Sequence, residues 1–160
     1  MGEFHHAISC FEQALAVARE IGDRPGEAYP LIGLGAAYDA LKETRTAIPY
    51  HEQALVVARE IGDRRLEGYA LNTVGFAHYA LGDPHTAMLY CEQALVVARE
   101  IGDRRIEGNA LGSLSIIHIA LGDLPHGLDL YEQRMVIAQE LGDRVESSED
   151  CWRLGLLLEP

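Results

Sequence analysis

Histidine, cysteine and aspartate are the residue types through which this sequence could do chemistry, and their spacing decides what that chemistry is. Of the seven histidines, His78 and His118 stand forty positions apart, and His51 shares a recurring position with Cys91 and Tyr131. A histidine that recurs once per interval brings no second ligand with it, so all three are expected to pack between helices rather than bind metal. His85 and His126 lie near turn starts and are expected in solvent, and His5-His6 is an adjacent pair close to one end. The sequence holds no H-E-x-x-H, no phosphate loop, no G-x-S-x-G and no dinucleotide glycine pattern. No catalytic group, no metal and no cofactor are therefore expected. Cys10, Cys91 and Cys151 are odd in number, far apart and without a C-x-x-C pair. They read as reduced thiols of a cytoplasmic protein, not as a disulfide frame or zinc site.

Asp23, Asp63, Asp103 and Asp143 recur beside Arg24, Arg64, Arg104 and Arg144. A row of carboxylates could form a calcium ladder, but no second oxygen ligand accompanies each one. The simpler expectation is one helix N-cap per interval, with the Glu20/Arg24 spacing adding a solvated i,i+4 pair.

The elements that position these residues are themselves repeated. Glu52 to Arg65 reads EQALVVAREIGDRR, and Glu92 to Arg105 reads the same fourteen residues. EQALAVAREIGDR begins at Glu12, and EQRMVIAQELGDR begins at Glu132. A fixed forty-residue period means an array rather than a single irregular core. Each period holds two helices. In the clearest copy, Asp63 caps a first helix ending near Leu81. Gly82 turns the chain, and Asp83-Pro84 opens a second helix that Gly102 ends. Apolar residues recur at intervals of three and four, and no strand period is present. The expected order is an orphan second helix over residues 1–22, full repeats over 23–62, 63–102 and 103–142, and an orphan first helix over 143–160: eight helices in all. Pro30 predicts a late start or bend, Pro49 predicts a kink, and Lys42 replaces a turn glycine, so the first full repeat is expected to be the least regular.

The charge balance narrows the partners. Lysine and arginine number 13 against 25 acidic residues, a formal charge of −12, and Lys42 is the sole lysine. That balance argues against nucleic-acid and anionic membrane surfaces, and no apolar run reaches the ~18 residues of a membrane span.

Val74-Gly75 followed by Ala87, Cys91 and Ala94 resembles the tetratricopeptide repeat family. Leu34-Gly35 with Ala47 and Ala54 fits the same pattern, as do Ala7, Phe11 and Ala14. The third full copy departs, with Leu114-Ser115, Gly127, Tyr131 and Arg134. The period exceeds the family's usual length of about 34 residues, so the chain is similar to the long-helix variant of kinesin light chains and bacterial regulators. The resemblance implies an all-α solenoid of antiparallel helix pairs with a right-handed superhelical turn, whose first helices line a concave groove. Carried over residue by residue, the groove would be lined by Tyr29, Ile32, Tyr69, Asn72, Phe76, Tyr79, Asn109 and Ile116.

It further implies a non-catalytic module that binds a protein or peptide, Asn72 holding backbone while the aromatic rings supply apolar contact. The family's carboxylate clamps use Lys and Arg in the groove. Here those positions carry Ile, Asn, Gly, Tyr and Thr, with Arg153 the one basic candidate. An apolar, neutral or basic partner is therefore expected, not an acidic one. Two alternatives accompany this reading. The chain could be the sensor or scaffold piece of a larger bacterial regulator, since its ends carry no polar caps. Or its orphan helices could pair between chains, with Phe11, Trp152, Leu154, Leu157 and Leu158 as anchors.

Overall fold

The structure is a computed structural model that describes residues 2–142. Those residues form seven α-helices: α1 Gly2–Glu20, α2 Ala28–Ala40, α3 Thr44–Ile61, α4 Arg64–Ala80, α5 Pro84–Ile101, α6 Arg104–Ala120 and α7 Leu124–Glu140. The count among the described residues is thus seven rather than the eight expected, because the eighth falls on 143–160, outside them. No strand occurs among the described residues. Each helix packs against the next, and α4 also touches α6. The result is an α-solenoid in which α2, α4 and α6 (the A helices) alternate with α1, α3, α5 and α7 (the B helices).

Capping follows the aspartates. The side chain of Asp63 accepts the N–H of Leu66, Asp83 that of Thr86, Asp103 those of Arg105 and Ile106, and Asp123 that of His126. Asp143 lies outside the described residues. At the other end of each helix the chain reverses through a left-handed residue. Gly22, Gly62, Gly82, Gly102, Gly122 and Gly142 take φ between 66° and 87°, and Lys42 takes φ 64° in the same role.

The first full repeat is irregular at its start, where Pro30 predicts it. A 3-10 turn, Pro25–Glu27, replaces the first turn of the A helix, and α2 begins only at Ala28. That late start puts Pro30 in the first helical turn, where its missing N–H has no intrahelical partner to lose. Pro49 lies inside α3, which runs unbroken from Thr44 to Ile61.

The core sits between A and B helices, and close approach depends on small residues. A Cβ on Gly75 would stand 2.6 Å from Cys91 Sγ and 3.0 Å from the Ala87 carbonyl oxygen. The third repeat keeps this fit by exchanging partners: Ser115 replaces the A-helix glycine and Gly127 replaces the B-helix alanine. Ser115 Oγ then donates to the Gly127 carbonyl at 2.7 Å. Cys91 and His51 are buried, as a packing slot requires. Burial pushes the Cys91 thiol up to about 12, so it is an inert core group. His78 stacks on Tyr90 with ring centroids 5.6 Å apart, as Tyr38 does on Tyr50 one repeat earlier.

The arginines of the Gly-Asp-Arg turns do more than the spacing predicts. Arg24 does not pair with Glu20. Its guanidinium donates to Glu27 at 2.8 Å and to Glu60 at 2.6 Å. Forty residues on, Arg64 holds Glu67 and Glu100; Arg104 holds Glu107 at 2.7 Å and Glu140 at 3.0 Å. The acids Glu27, Glu67 and Glu107 are buried, and each takes a second guanidinium from the preceding B helix: Arg19, Arg59 and Arg99. Three identical joints therefore tie every A helix to the B helices on both sides of it.

Candidate functional site

The A helices present the expected groove residues. Periodicity places Tyr69, Asn72, Phe76 and Tyr79 on one face of α4, offset from the Leu71, Val74 and Gly75 face that packs inward. Tyr29 on α2 is 81% exposed and Phe76 is 47% exposed. Tyr69, Asn109 and Ile116 are exposed as well. Ile32 and Tyr79 are half-buried: Ile32 packs against the core around Leu31 and Leu34, and Tyr79 against that around Leu111 and Leu114. The Phe76 and Tyr79 rings lie 6.1 Å apart. On the same face of α4, Asn72 Oδ1 is buried and accepts no hydrogen bond from any described residue. A buried amide oxygen left unpaired costs free energy that a donor from outside would recover.

The eight residues fall into two groups. Tyr29, Ile32, Tyr69 and Asn109 line a cleft of about 500 Å³ at the N-terminal ends of the A helices. Asn72, Phe76, Tyr79 and Ile116 lie farther along α4 and α6 and do not line it. The cleft is also lined by residues that the sequence reading did not assign to the groove: the apolar Ile61, Leu66 and Ile106, and the charged Arg65, Asp103 and Arg105. Arg65 Nε donates to Asp103 Oδ2 at 2.9 Å. The backbone N–H of Ile106 and the neighbouring Arg65 guanidinium hold the Asp103 carboxyl below the usual range. Arg65 and Arg105 thus add basic side chains to this cleft outside the clamp positions, and Arg65 meets its own aspartate. The recurrence of Arg65 and Arg105, and of Leu66 and Ile106, at the forty-residue period was the signal that could have located this cleft.

Of the anchors expected at the chain ends, Phe11 lies against α2: a Cβ on Gly33 would stand 2.5 Å from its ring. Trp152, Leu154, Leu157 and Leu158 lie outside the described residues, as does Arg153. No group of three or more potential metal ligands occurs among the described residues, and no described helix is long and apolar enough to cross a membrane.

Two family models, both described as tetratricopeptide repeat, match residues 1–60 and 68–101. No curated protein matches the sequence. Among solved structures, the tetratricopeptide repeat domain of Arabidopsis FLU is similar at 19% identity with a TM-score of 0.69, over 73% of this chain and 98% of that one. A putative kinesin light chain with nearly identical repeats, from Podospora anserina, is similar at 18% identity with a TM-score of 0.71, over 91% and 70%. A signal transduction ATPase with numerous domains (STAND) protein with a tetratricopeptide repeat sensor, from Pyrococcus horikoshii, is similar at 25% identity with a TM-score of 0.74. That match covers 85% of this chain and 21% of the other. The two family matches together take in more than half of the sequence, and the small-residue packing, the turn glycines and the alternating helices agree with them: the chain belongs to the tetratricopeptide repeat family.

Proposed function

We propose that this chain is a non-catalytic binding module that holds a peptide or helix of another protein along the exposed face of its A helices. Tetratricopeptide repeats generally mediate protein–protein interactions, and proteins built from them are typically non-enzymatic scaffolds. On this reading residues 23–62, 63–102 and 103–142 are three complete repeats, and their A helices form the floor of the groove. The observation that carries the proposal is Asn72, whose buried amide oxygen has no partner among the described residues while exposed aromatic side chains flank it. Once the Asn72 amide turns out into the groove, a peptide N–H would satisfy that oxygen, and Tyr69, Phe76 and Tyr79 would cover the adjoining side chains. The net charge of −12 favours apolar, neutral or basic partners over acidic ones.

Peptides selected by display on the immobilised 160-residue chain test this. Their affinity for an Asn72→Ala/Phe76→Ala variant is expected to fall at least tenfold, roughly 1.4 kcal/mol. Unchanged affinity, with the helical circular dichroism intact, would sink the proposal. The reading of this chain as the sensor array of a larger regulator draws on the STAND protein, whose own repeats are its sensor. It relies on the same groove and stands or falls with the same variant.

A further inference from the structure

Each A helix carries one carboxylate within its length: Asp39 on α2, Glu67 on α4 and Glu107 on α6. Glu67 and Glu107 are each met by two guanidiniums. Among the described residues no arginine or lysine pairs with Asp39, not even Lys42 three positions on. Its partner is His51 on α3, whose Nε2 lies 2.8 Å from Asp39 Oδ2. The His51 side chain is 3% exposed and that of Asp39 is 39% exposed. A Cβ on Gly35 would collide with the imidazole, so the ring fills the space that the glycine leaves. His51 Nδ1 has no partner among the described residues. With its proton on Nε2 the ring donates to the carboxylate, whereas a second proton on Nδ1 would be a buried donor with no acceptor. The contact therefore orients Asp39 without cancelling its charge.

Asp39 stands forty positions before Tyr79 and eighty before Ile119. Helical spacing sets it on the face of Ile32 and the exposed Ala36. It lies in the last turn of α2, where the helix C-terminus adds partial negative charge. We propose that the partner segment held along the A helices carries an arginine or lysine that pairs with Asp39, with His51 as the positioning residue. This rests on the reading of that face as a binding groove, and it gives the segment a direction. The basic residue lies over the end of α2, and the apolar residues lie toward Phe76 and Tyr79 on α4. An acidic segment in that place would set like charges together, which favours the cationic partner.

Peptides selected by display on the immobilised 160-residue chain test this, each synthesised with its basic residue and again with glutamine in that place. The basic peptide is expected to bind Asp39→Asn about fivefold more weakly than the parent chain. The glutamine peptide is expected to bind both alike. Glu92→Gln removes the same single charge from an exposed position on α5 and is expected to change nothing. His51→Cys puts into this slot the residue that the next repeat has there, Cys91. It is expected to shrink the preference for the basic peptide while the glutamine peptide binds as before. Selected peptides without a basic residue overturn the proposal. So does a basic peptide that binds Asp39→Asn unchanged, or that loses as much affinity for Glu92→Gln. A full preference retained in His51→Cys overturns the positioning role. Failure of the groove itself reads differently, because Asn72→Ala/Phe76→Ala then leaves affinity unchanged. Failure of this contact alone leaves that variant weak and Asp39→Asn unaffected.

Discussion

Lys42 turns the chain at φ 64°, where six glycines turn it at φ 66–87°. A side chain in the left-handed region costs roughly 1–2 kcal/mol, part of which the unfolded chain returns because lysine is less free than glycine there. Lys42→Gly is therefore expected to stabilise the protein by about 0.5–1 kcal/mol, a rise in Tm of roughly 1–4 °C for a domain of this size. Thermal unfolding checks it, with Gly82→Ala as the control of opposite sign. A lower Tm for Lys42→Gly would mean that the lysine side chain contributes a contact worth more than the backbone strain. The position was legible in the sequence because every twentieth residue from Gly22 onward is a glycine except this one.

The joints between helices were the least legible feature. Arg24 and Glu60 are thirty-six residues apart, and only folding brings them within 2.6 Å; reading along one helix offers Arg24 the nearer Glu20 instead. At the second joint, burial by itself raises the Glu67 carboxyl, but the Arg59 and Arg64 guanidiniums outweigh it and the net shift is downward. Glu107 behaves in the same way between Arg99 and Arg104. A carboxyl lowered in the folded state contributes stability that is present above the unfolded value of ~4.3 and is lost as pH falls through the folded value. Glu67→Gln is expected to cost about 1 kcal/mol near neutrality, the half-exposed arginines limiting the loss. Urea unfolding at a series of pH values should show the variant and the parent converging as acid protonates Glu67. A constant difference down to the acid limit would assign the cost to packing rather than charge. The late start of α2 was legible from Pro30, but its form was not, because the 3-10 turn depends on Pro25 and on the capping of Gly26 by Asp23 at 3.0 Å.

At the scale of the whole molecule, stability in an array is a sum of neighbour terms, and an element with one neighbour has less of it. The described part of α1 packs on one side, while α4, α5 and α6 are flanked on both. Amide hydrogen exchange at low protein concentration is expected to be fastest in α1 and slowest in α4 to α6. Uniform protection would show that the array unfolds as a single unit. The alternation of helices was legible because glycine, aspartate and alanine recur at fixed intervals, each with a separate physical role. The cleft was legible only in part. Tyr29 and Tyr69 follow from one helix face, whereas Ile61 and Arg65 enter it from the junction between α3 and α4, which no single-helix pattern describes.

The three joints carry a consequence for how such a chain can change in length. Glu52 to Arg65 and Glu92 to Arg105 are the same fourteen residues, and each spans the place where one unit hands over to the next. A recombination that misaligns these two stretches inserts or removes forty residues between them. Every new junction then has the same arginines facing the same glutamates as the junction it replaces, so the ion-paired joint is kept in either product. Copy number becomes a variable that inheritance can adjust in whole steps, and the span of surface offered to a partner grows or shrinks without passing through a misfolded ancestor.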